Sequence, residues 1–404
     1  MKAESILLKV ESARQERVED SFDLSAFSTP LKIGFDGKRA ATNKTGLGNY
    51  SRSLIAHLAE QFSALHYYVY TPKVNPDLIA HPLFSTANVF LKLPLKNSAL
   101  LLWRSFGIIR QLVGDNIALF HGLSHEIPYG LKKNKIKSVV TIHDLIFLVK
   151  PNYYKFFDRK IYAYKSKYAC KQADRIIAIS EQTKRDIIRF YQINPSKIDV
   201  IYQSCDDQFK ILLNSDQKEF IRNTYQLPPS YLLNVGTIEP RKNLLLLINA
   251  LPHIDNSYPL VVIGKETAYT ELVKKEVKNL GLTDRVIFLK NIPFTDLPAI
   301  YQMASAFIYP SLYEGFGIPI IEALYGGVPV VATTGSCLEE AGGPYSLYVS
   351  PSDSEELAQA VNRVLHHPEL RAEMTAKGLQ FVQGFNTNKV TKQVLECYYK
   401  VLSE

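Results

Sequence analysis

The sequence has few cysteines and no long apolar segment. Its four cysteines lie far apart without a Cys-x-x-Cys pair, which argues against a disulfide framework or a structural zinc site and favours a reducing compartment. No apolar run exceeds about five residues, whereas a helix that crosses a bilayer needs about 20. Residues 1–30 carry several acids and lack the apolar core of a secretory signal. We therefore predict a cytoplasmic protein that begins with a 30-residue extension.

Neither the composition nor the charge suggests disorder. Of the 404 residues 46% are apolar, and 47 Lys and Arg stand against 39 Asp and Glu, for a formal net charge of +8. This composition is typical of globular proteins. At roughly 100–200 residues per domain, the length predicts two domains.

Short apolar runs alternate with segments of helical periodicity from Leu31 onward. The runs are rich in Val, Ile and Leu, as in parallel strands that are buried on both faces. Strands joined by helices of about 10–15 residues imply parallel pairing through right-handed crossovers. The polar stretch 204–230 separates two such series. We predict two doubly wound α/β domains, residues 31–205 and 206–385, and expect ligands beyond the carboxyl ends of their strands.

One loop of the second series carries two adjacent cations. In Val235-Gly-Thr-Ile-Glu-Pro-Arg-Lys-Asn243 a predicted strand ends, Gly236 permits a tight turn, and Arg241 and Lys242 lie at the expected start of a helix. Free N–H groups and the helix dipole favour an anion there. A guanidinium fork beside a Lys point charge suits a diphosphate. The alternative is an ordinary exposed Arg-Lys pair.

A second loop carries two carboxylates. In Tyr313-Glu-Gly-Phe-Gly-Ile-Pro-Ile-Ile-Glu-Ala323, Glu314 lies in the loop and Glu322 in the first turns of the helix that follows. The glycines allow backbone amides to approach a ligand. Both carboxylates could accept hydrogen bonds from sugar or ribose hydroxyls. The alternative for Glu322 is stabilisation of the helix dipole by about 0.3–1 kcal/mol.

Together the two loops, about 70 residues apart, closely resemble the retaining, nucleotide-sugar-dependent glycosyltransferases called group 1 or family 4. The resemblance covers most of the chain and implies the GT-B fold, in which two Rossmann-like domains face a cleft. The C-terminal domain would hold the donor and the N-terminal domain the acceptor, while a last helix, within 386–404, would return to the N-terminal domain.

The resemblance also implies roles for individual residues. Arg241 and Lys242 would bind the donor diphosphate. Glu322 would accept from the ribose hydroxyls, and Glu314 would hold the transferred sugar. Four residues that follow two further predicted strands would contact the nucleoside: Gly264, Lys265, Asn291 and Ile292. The backbone amides of Phe316 and Gly317 would help to hold the sugar.

The first half supplies a glycine-rich loop, Asn43-Lys-Thr-Gly-Leu-Gly-Asn-Tyr50. It resembles the family's loop that closes over the diphosphate, through Gly46 and Gly48. Ser51 replaces the last glycine of a full Gly-x-Gly-x-x-Gly pattern, which weakens a dinucleotide-binding interpretation. The alternative is a simple helix-entry turn.

Two strand ends in the first half carry histidines. Val140-Thr-Ile-His-Asp-Leu145 resembles the family's His-Asp-Leu, so His143 would reach the donor sugar and Asp144 would face the acceptor. His121 ends another strand and is a further acceptor candidate. A lone histidine is more often a packing residue.

The chain contains no Asp-x-Asp triplet, so we predict that no metal or other cofactor holds the diphosphate. The Glu-Pro-Arg-Lys-Asn and His-Asp-Leu combination looks most like bacterial mannosyltransferases of surface polysaccharide, such as lipopolysaccharide. We therefore favour GDP-mannose over UDP-sugars as donor, with a glycan or lipid-linked glycan as acceptor. The alternatives are a GT-B sugar-nucleotide epimerase and a non-enzymatic basic membrane-binding protein.

Residues 150–175 carry eight Lys or Arg and two Asp, interleaved with seven aromatics. The segment is interpreted either as a solvated helix face or as a surface that adsorbs to anionic membranes. Nucleic acid is disfavoured because no recognition motif accompanies the charge. A membrane role would place the protein peripherally on the inner face of the cytoplasmic membrane.

Overall fold

A computed structural model describes residues 30–94 and 102–404. The strands in these ranges are β1 (Lys32–Asp36), β2 (His66–Tyr70), β3 (Val89–Lys92), β4 (Leu119–Gly122), β5 (Lys137–Ile142), β6 (Arg175–Ala178), β7 (Ile198–Val200), β8 (Leu232–Val235), β9 (Leu260–Ile263), β10 (Val286–Leu289), β11 (Ala306–Tyr309), β12 (Val330–Thr333) and β13 (Leu347–Val349). The predicted N-terminal extension, apart from Pro30, lies outside the described residues.

Helices connect most of these strands. They are α1 (Lys38–Thr42), α2 (Gly46–Gln61), α3 (Ile108–Gly114), α4 (Ile146–Val149), α5 (Phe156–Gln172), α6 (Glu181–Tyr191), α7 (Ser215–Tyr225), α8 (Leu244–Ala250), α9 (Ala268–Asn279), α10 (Leu297–Gln302), α11 (Ile318–Tyr325), α12 (Leu338–Gly342), α13 (Ser354–His366), α14 (Pro368–Val382) and α15 (Thr387–Ser403). A π-helical segment, Trp103–Gly107, leads into α3. Within the described ranges, no helix combines the length and hydropathy that a membrane crossing requires.

The strands form two parallel sheets, which confirms the predicted doubly wound α/β architecture. The first has the order β3-β2-β1-β4-β5-β6-β7 and the second β10-β9-β8-β11-β12-β13. In each sheet the order reverses at one place, between β1 and β4 and between β8 and β11. Crevices at such reversal points are where doubly wound sheets bind ligands. The fold therefore indicates the loops after β8 and β11 as the place to look for chemistry.

Apolar clusters cover both faces of each sheet, which explains the continuous Val, Ile and Leu runs in the strands. Helix α15 belongs to the core of the first sheet although it comes last in the chain. Its Val394, Tyr398 and Val401 are almost fully buried there, together with residues of β1 and α2. The chain thus crosses from the second domain back to the first.

Candidate active site

Three charged side chains meet at the reversal point of the second sheet. Arg241 and Lys242 follow β8, and Glu314 follows β11. Arg241 Nη1 lies 2.6 Å from one carboxylate oxygen of Glu314, and Lys242 Nζ lies 2.7 Å from the other. Lys242 also donates to the hydroxyl of Tyr309 at 2.5 Å. We refer to Arg241, Lys242 and Glu314 as the charged triad.

The charged triad is largely buried and ionised. Burial alone would raise the pKa of Glu314, but the charges on Lys242 and Arg241 lower it to about 2. Burial alone would lower the pKa of Lys242, and Glu314 reverses that effect and raises it. Arg241 makes a second ion pair with Glu239 at 2.6 Å. Two cations therefore face two carboxylates, so the expected anion site is compensated within the protein.

The cations do not begin a helix, which corrects the sequence prediction. Pro240–Lys242 forms a 3₁₀ turn, and Asn243 follows in the left-handed conformation, φ 55°, before α8 starts. The amide of Asn243 anchors this bend by donating to the carbonyl of Pro351 at 2.9 Å. Arg241 then reaches the loop after β11, where Nη1 donates to the carbonyl of Tyr313 at 2.8 Å. The two cations therefore lie two and three residues before the first residue of α8.

The four residues predicted to contact a nucleoside lie together. Gly264 and Lys265 after β9, and Asn291 and Ile292 after β10, line one cavity of about 400 Å³. Glu266 lines the same cavity and pairs with Lys274 and Lys290 at 2.9 and 3.0 Å. A cavity of this size fits a small-molecule ligand.

Two glycines bring this cavity next to the charged triad. A Cβ on Gly264 would lie 1.8 Å from the carbonyl oxygen of Gly236, so the two loops touch through their backbones. Gly236 has φ +152°, and the carbon chain of Lys242 lies 3.7 Å from where its Cβ would be. Close approach of the two backbones requires glycine at position 264, and the positive φ favours glycine at position 236.

Glu322 has different neighbours from the charged triad. Its carboxylate accepts from the hydroxyl of Tyr301 at 2.8 Å inside the second domain. Burial raises its pKa to about 7. Phe316 and Gly317 lie between Glu314 and α11, and Phe316 is buried against Tyr202 with ring centroids 5.3 Å apart. The predicted ribose and sugar roles of these three residues stay predictions.

His143 is held in one orientation at the end of β5. Its Nε2–H donates to the carbonyl of Leu123 at 2.8 Å, and Nδ1 accepts from the amide of Gln203 at 3.0 Å. Burial and the neighbouring His125 lower its pKa to about 3. The ring is therefore neutral, and both of its nitrogens already have hydrogen-bond partners.

The backbone of His143 and the side chain of Asp144 border the charged triad across the cleft. A Cβ on Gly315 would lie 2.1 Å from the carbonyl oxygen of His143. Asp144 is half-buried; burial raises its pKa, and Arg241 and Glu314 are both close enough to perturb it. The structure therefore brings the His-Asp pair of the first domain to the cation site of the second.

His121 does not belong to this site, which corrects the sequence prediction. It is fully buried, with Nδ1 bonded to the hydroxyl of Tyr398 at 2.6 Å and Nε2 to that of Thr141 at 2.8 Å. The ring links β4 to α15 and presents no surface to an acceptor.

The two glycines of the first loop differ. Gly46 opens α2, and a Cβ there would meet nothing within 4 Å, so its backbone is accessible to a ligand. A Cβ on Gly48 would lie 1.8 Å from the carbonyl oxygen of Asn43. Gly48 is therefore required by packing of the loop itself.

Helix α6 joins the two domains beside the charged triad. Its first two free N–H groups, of Glu181 and Gln182, donate to the carboxylate of Glu340 in the second domain at 2.6 and 2.8 Å. Ser180 Oγ donates to the carbonyl of Gly315 at 2.7 Å. A carboxylate at a helix N-terminus is favoured by the orphan N–H groups and the dipole. These contacts link α6 of the first domain to the second domain across the cleft.

Two family profiles match the chain. Residues 45–209 match the one described as Glycosyltransferase Family 4, and residues 216–381 match the one described as Glycosyl transferases group 1. The chain belongs to the group 1, family 4 glycosyltransferases. The two matches correspond to the two α/β domains, so a glycosyltransferase of the GT-B fold accounts for both.

Curated relatives of this glycosyltransferase include two mannosyltransferases. The chain is 29% identical to the O-antigen chain mannosyltransferase B of Escherichia coli, over 69% of this chain and 74% of the relative. It is 30% identical to the O-antigen chain mannosyltransferase RfbU of Salmonella typhimurium, over 61% of this chain and 64% of the relative. Among solved structures, the sucrose-phosphate synthase of Thermosynechococcus elongatus is similar in fold, with a TM-score of 0.75, 22% identity, and coverage of 92% and 99% of the two chains.

The sequence analysis of the glycosyltransferase missed several residues of the site. Tyr309 bonds Lys242 and, at 3.3 Å, also donates to Glu314. Tyr309 ends a predicted strand, and this position could have marked it as a candidate site residue. Glu340 carries no local signal, because its partners lie about 160 residues away. Within the described ranges, no group of three or more His, Cys, Asp or Glu is placed to hold a metal ion.

We expect the stability of this glycosyltransferase to fall as the pH drops below about 6.5. Burial lowers the pKa values of His121, His125 and His143 to about 3, 4 and 3. Below about pH 6.5 the unfolded chain therefore binds protons that the folded chain does not. Each of these histidines lowers the free energy of unfolding by up to about 1.4 kcal/mol per pH unit. Glu322 acts in the opposite sense, since its pKa is raised.

Urea unfolding between pH 7 and pH 5 measures this dependence. A His125→Gln variant should have a visibly shallower slope than the native chain, because one of the three histidines no longer titrates. A native free energy of unfolding that stays flat over this range would contradict the burial of the histidines.

We expect Glu340→Ala to open the cleft. The change removes the acceptor of two charge-assisted hydrogen bonds to α6, worth on the order of 2 kcal/mol to the closed arrangement. Small-angle scattering should report a larger radius of gyration. Glu339→Ala is the matched control, since Glu339 is exposed next to it. Equal radii for both variants would show that the contact does not hold the domains together.

Proposed function

We propose that the chain transfers a mannosyl group from GDP-mannose, with retention of configuration, to a glycan or lipid-linked glycan acceptor in surface polysaccharide biosynthesis. The charged triad beside the cavity after β9 and β10 is the observation that carries this proposal. It would offer two cations to a diphosphate whose nucleoside occupies the cavity. The similarity to two O-antigen chain mannosyltransferases supports the choice of sugar and pathway.

The chemistry proposed for the triad is stabilisation of the leaving group. The bond between the anomeric carbon and the diphosphate oxygen breaks while the same carbon bonds to the acceptor oxygen. Arg241 and Lys242 would neutralise the charge that develops on the diphosphate. The departing phosphate oxygen would take the proton of the acceptor hydroxyl on the same face. Glu314, ionised throughout, would hold hydroxyls of the sugar and keep both cations in place.

Glu266 supports guanine as the base. Guanine presents two neighbouring N–H donors on its pairing edge, whereas uracil presents one. A carboxylate in the cavity suits the two donors of guanine. Glu266 lies between Lys274 and Lys290, which keep it ionised. The remaining expected donor contacts, Gly46, Gly264, Lys265, Asn291 and Ile292, are part of the same proposal.

A panel of nucleotide sugars tests the donor. We expect GDP-mannose to raise the melting temperature and to be consumed faster than UDP-glucose or UDP-galactose. In the Glu266→Ala variant this preference should shrink by about tenfold, because a hydrogen bond to a charged group is worth about 1.5–3 kcal/mol.

The native donor preference decides this part of the proposal. A preference for a UDP-sugar would overturn the choice of GDP-mannose. Conversion of the donor into an isomer without transfer would identify an epimerase. A product with an inverted anomeric centre would refute retention.

We also propose that transfer takes place in the cytoplasm, with the protein peripheral on the inner face of the cytoplasmic membrane. The net charge of +8 and the basic aromatic segment 150–175 support this location. A lipid-linked acceptor would be found at such a surface.

A further inference from the structure

The first half of α5 exposes several large apolar side chains. Phe157, Ile161 and Tyr164 are 78%, 52% and 64% exposed. Their spacing of four and three residues places them on one stripe of the helix. Isolated exposed apolar residues are ordinary, but a continuous stripe indicates an interaction surface.

The stripe continues onto the neighbouring π-helical segment. Tyr168, one turn beyond Tyr164, packs on Tyr129 with ring centroids 4.2 Å apart. Tyr129 in turn stacks on Phe106 at 4.7 Å, and Phe106 is 55% exposed. Two separate elements therefore share one apolar surface. We call Phe106, Tyr129, Phe157, Ile161 and Tyr164 the aromatic face.

Several cations lie on α5 next to the aromatic face. Residues 155–171 carry six Lys or Arg and one Asp. The charged groups of Arg159 and Lys160 lie 5.4 and 5.5 Å from the ring centroid of Phe156, itself 58% exposed. The nearby carboxylate of Glu126 is already neutralised by Lys165 at 3.0 Å. A positive, aromatic surface complements the interface of an anionic bilayer, where apolar rings enter and cations meet phosphate.

The residues just before α5 lie near the mouth of the cleft. Tyr154, two residues before α5, has its pKa raised to about 12 by burial, and Asp144 and Arg241 are close enough to perturb it further. Tyr153 is likewise close enough to Tyr269 of the second domain to perturb its pKa. Tyr153 and Tyr154 thus connect the exposed stripe of α5 to the surroundings of the charged triad.

We propose that the aromatic face seats the protein on an anionic phospholipid surface, with the mouth of the cleft at the headgroups. A lipid-linked acceptor would then reach the charged triad without leaving the bilayer. The biological role of this surface rests on the proposed transferase function. Its test does not, because vesicle binding is measured without donor or acceptor.

The test is co-sedimentation of the full chain with vesicles. We expect binding to phosphatidylglycerol–phosphatidylcholine vesicles and at least about tenfold weaker binding to phosphatidylcholine alone. High salt should weaken the former strongly, since it screens exposed charges. Absence of binding to the anionic vesicles would overturn the proposal, and donor hydrolysis in solution would still report separately on the proposed function.

Matched variants locate the surface. Phe157→Ser with Ile161→Ser should lower anionic vesicle binding by about tenfold or more, because two large apolar groups no longer leave water. Its control is Leu212→Ser with Phe220→Ser, which are 72% and 69% exposed in the second domain. Both proteins should retain the native rate of donor hydrolysis, which shows that they are folded.

Charge variants test the contribution of the cations to vesicle binding. Lys160→Gln with Lys167→Gln should weaken binding by about fivefold for each cation. Lys275→Gln with Lys278→Gln on α9 removes the same charge elsewhere and should have little effect. Equal losses in test and control variants would overturn the assignment of this face. A native dimer that the Phe157 and Ile161 changes dissociate would also overturn it, by identifying a contact between two copies.

Discussion

Lys242→Ala is expected to lower the rate of sugar transfer by about 10²–10³-fold while leaving the protein folded. The variant removes one of two cations that would face the diphosphate, and a single preorganised charge-stabilising contact is worth about that factor. Folding should survive because Arg241 remains paired with Glu314 at 2.6 Å. Initial rates at saturating GDP-mannose, with circular dichroism as a check on folding, give the comparison.

Lys278→Ala, which removes an exposed cation from α9, is the matched control and should keep native turnover. A Lys242→Ala protein with turnover within about threefold of native would remove the charged triad from the mechanism. A non-enzymatic membrane binder would likewise be indifferent to this change, so the variant also separates that alternative from a transferase.

Glu314→Ala is expected to destabilise the protein by about 3–5 kcal/mol as well as to inactivate it. The change leaves two buried cations with only Glu239 to compensate them, and an unpaired buried charge costs about that much. The pH dependence has a defined sign. The pKa of Glu314, about 2, lies below that of an unfolded Glu, about 4.3. Its contribution is therefore present above about pH 4.5 and is lost as the pH falls towards 2.

Inorganic pyrophosphate distinguishes lost charge from lost shape in this experiment. It should raise the melting temperature of Glu314→Ala more than that of the native chain, because the anion replaces the missing carboxylate. Glu314→Gln keeps the shape and loses the charge, so it should respond like the alanine variant. Equal shifts in all three proteins would show that Glu314 does not compete with the anion for the two cations.

Most of the fold could be predicted from the sequence. Parallel strands buried on both faces leave continuous apolar runs, and the short apolar runs recognised from Leu31 onward overlap the observed strands. The loops after β8 and β11 could be predicted too, since glycines and charges follow directly on strands. Adjacency of those loops follows from the order of the strands in the second sheet, which the structure supplies.

The pairing of charges and hydrogen bonds within the site could not be predicted from the sequence. Nothing near Arg241 in the sequence indicates that Glu314, 73 positions later, would neutralise it. His121 has the appearance of a site residue until Tyr398, 277 positions away, bonds its ring. The contact of Glu340 with α6 depends on how the two domains dock. These features arise from pairs that only the folded chain brings together.

The return of α15 to the first sheet has a consequence for biosynthesis. The second domain is one uninterrupted stretch and can condense on the ribosome as soon as its own residues emerge. The first domain must wait, because Val394, Tyr398 and Val401 complete its interior. The first domain is therefore translated first but matures second, and its core remains incomplete until α15 has emerged.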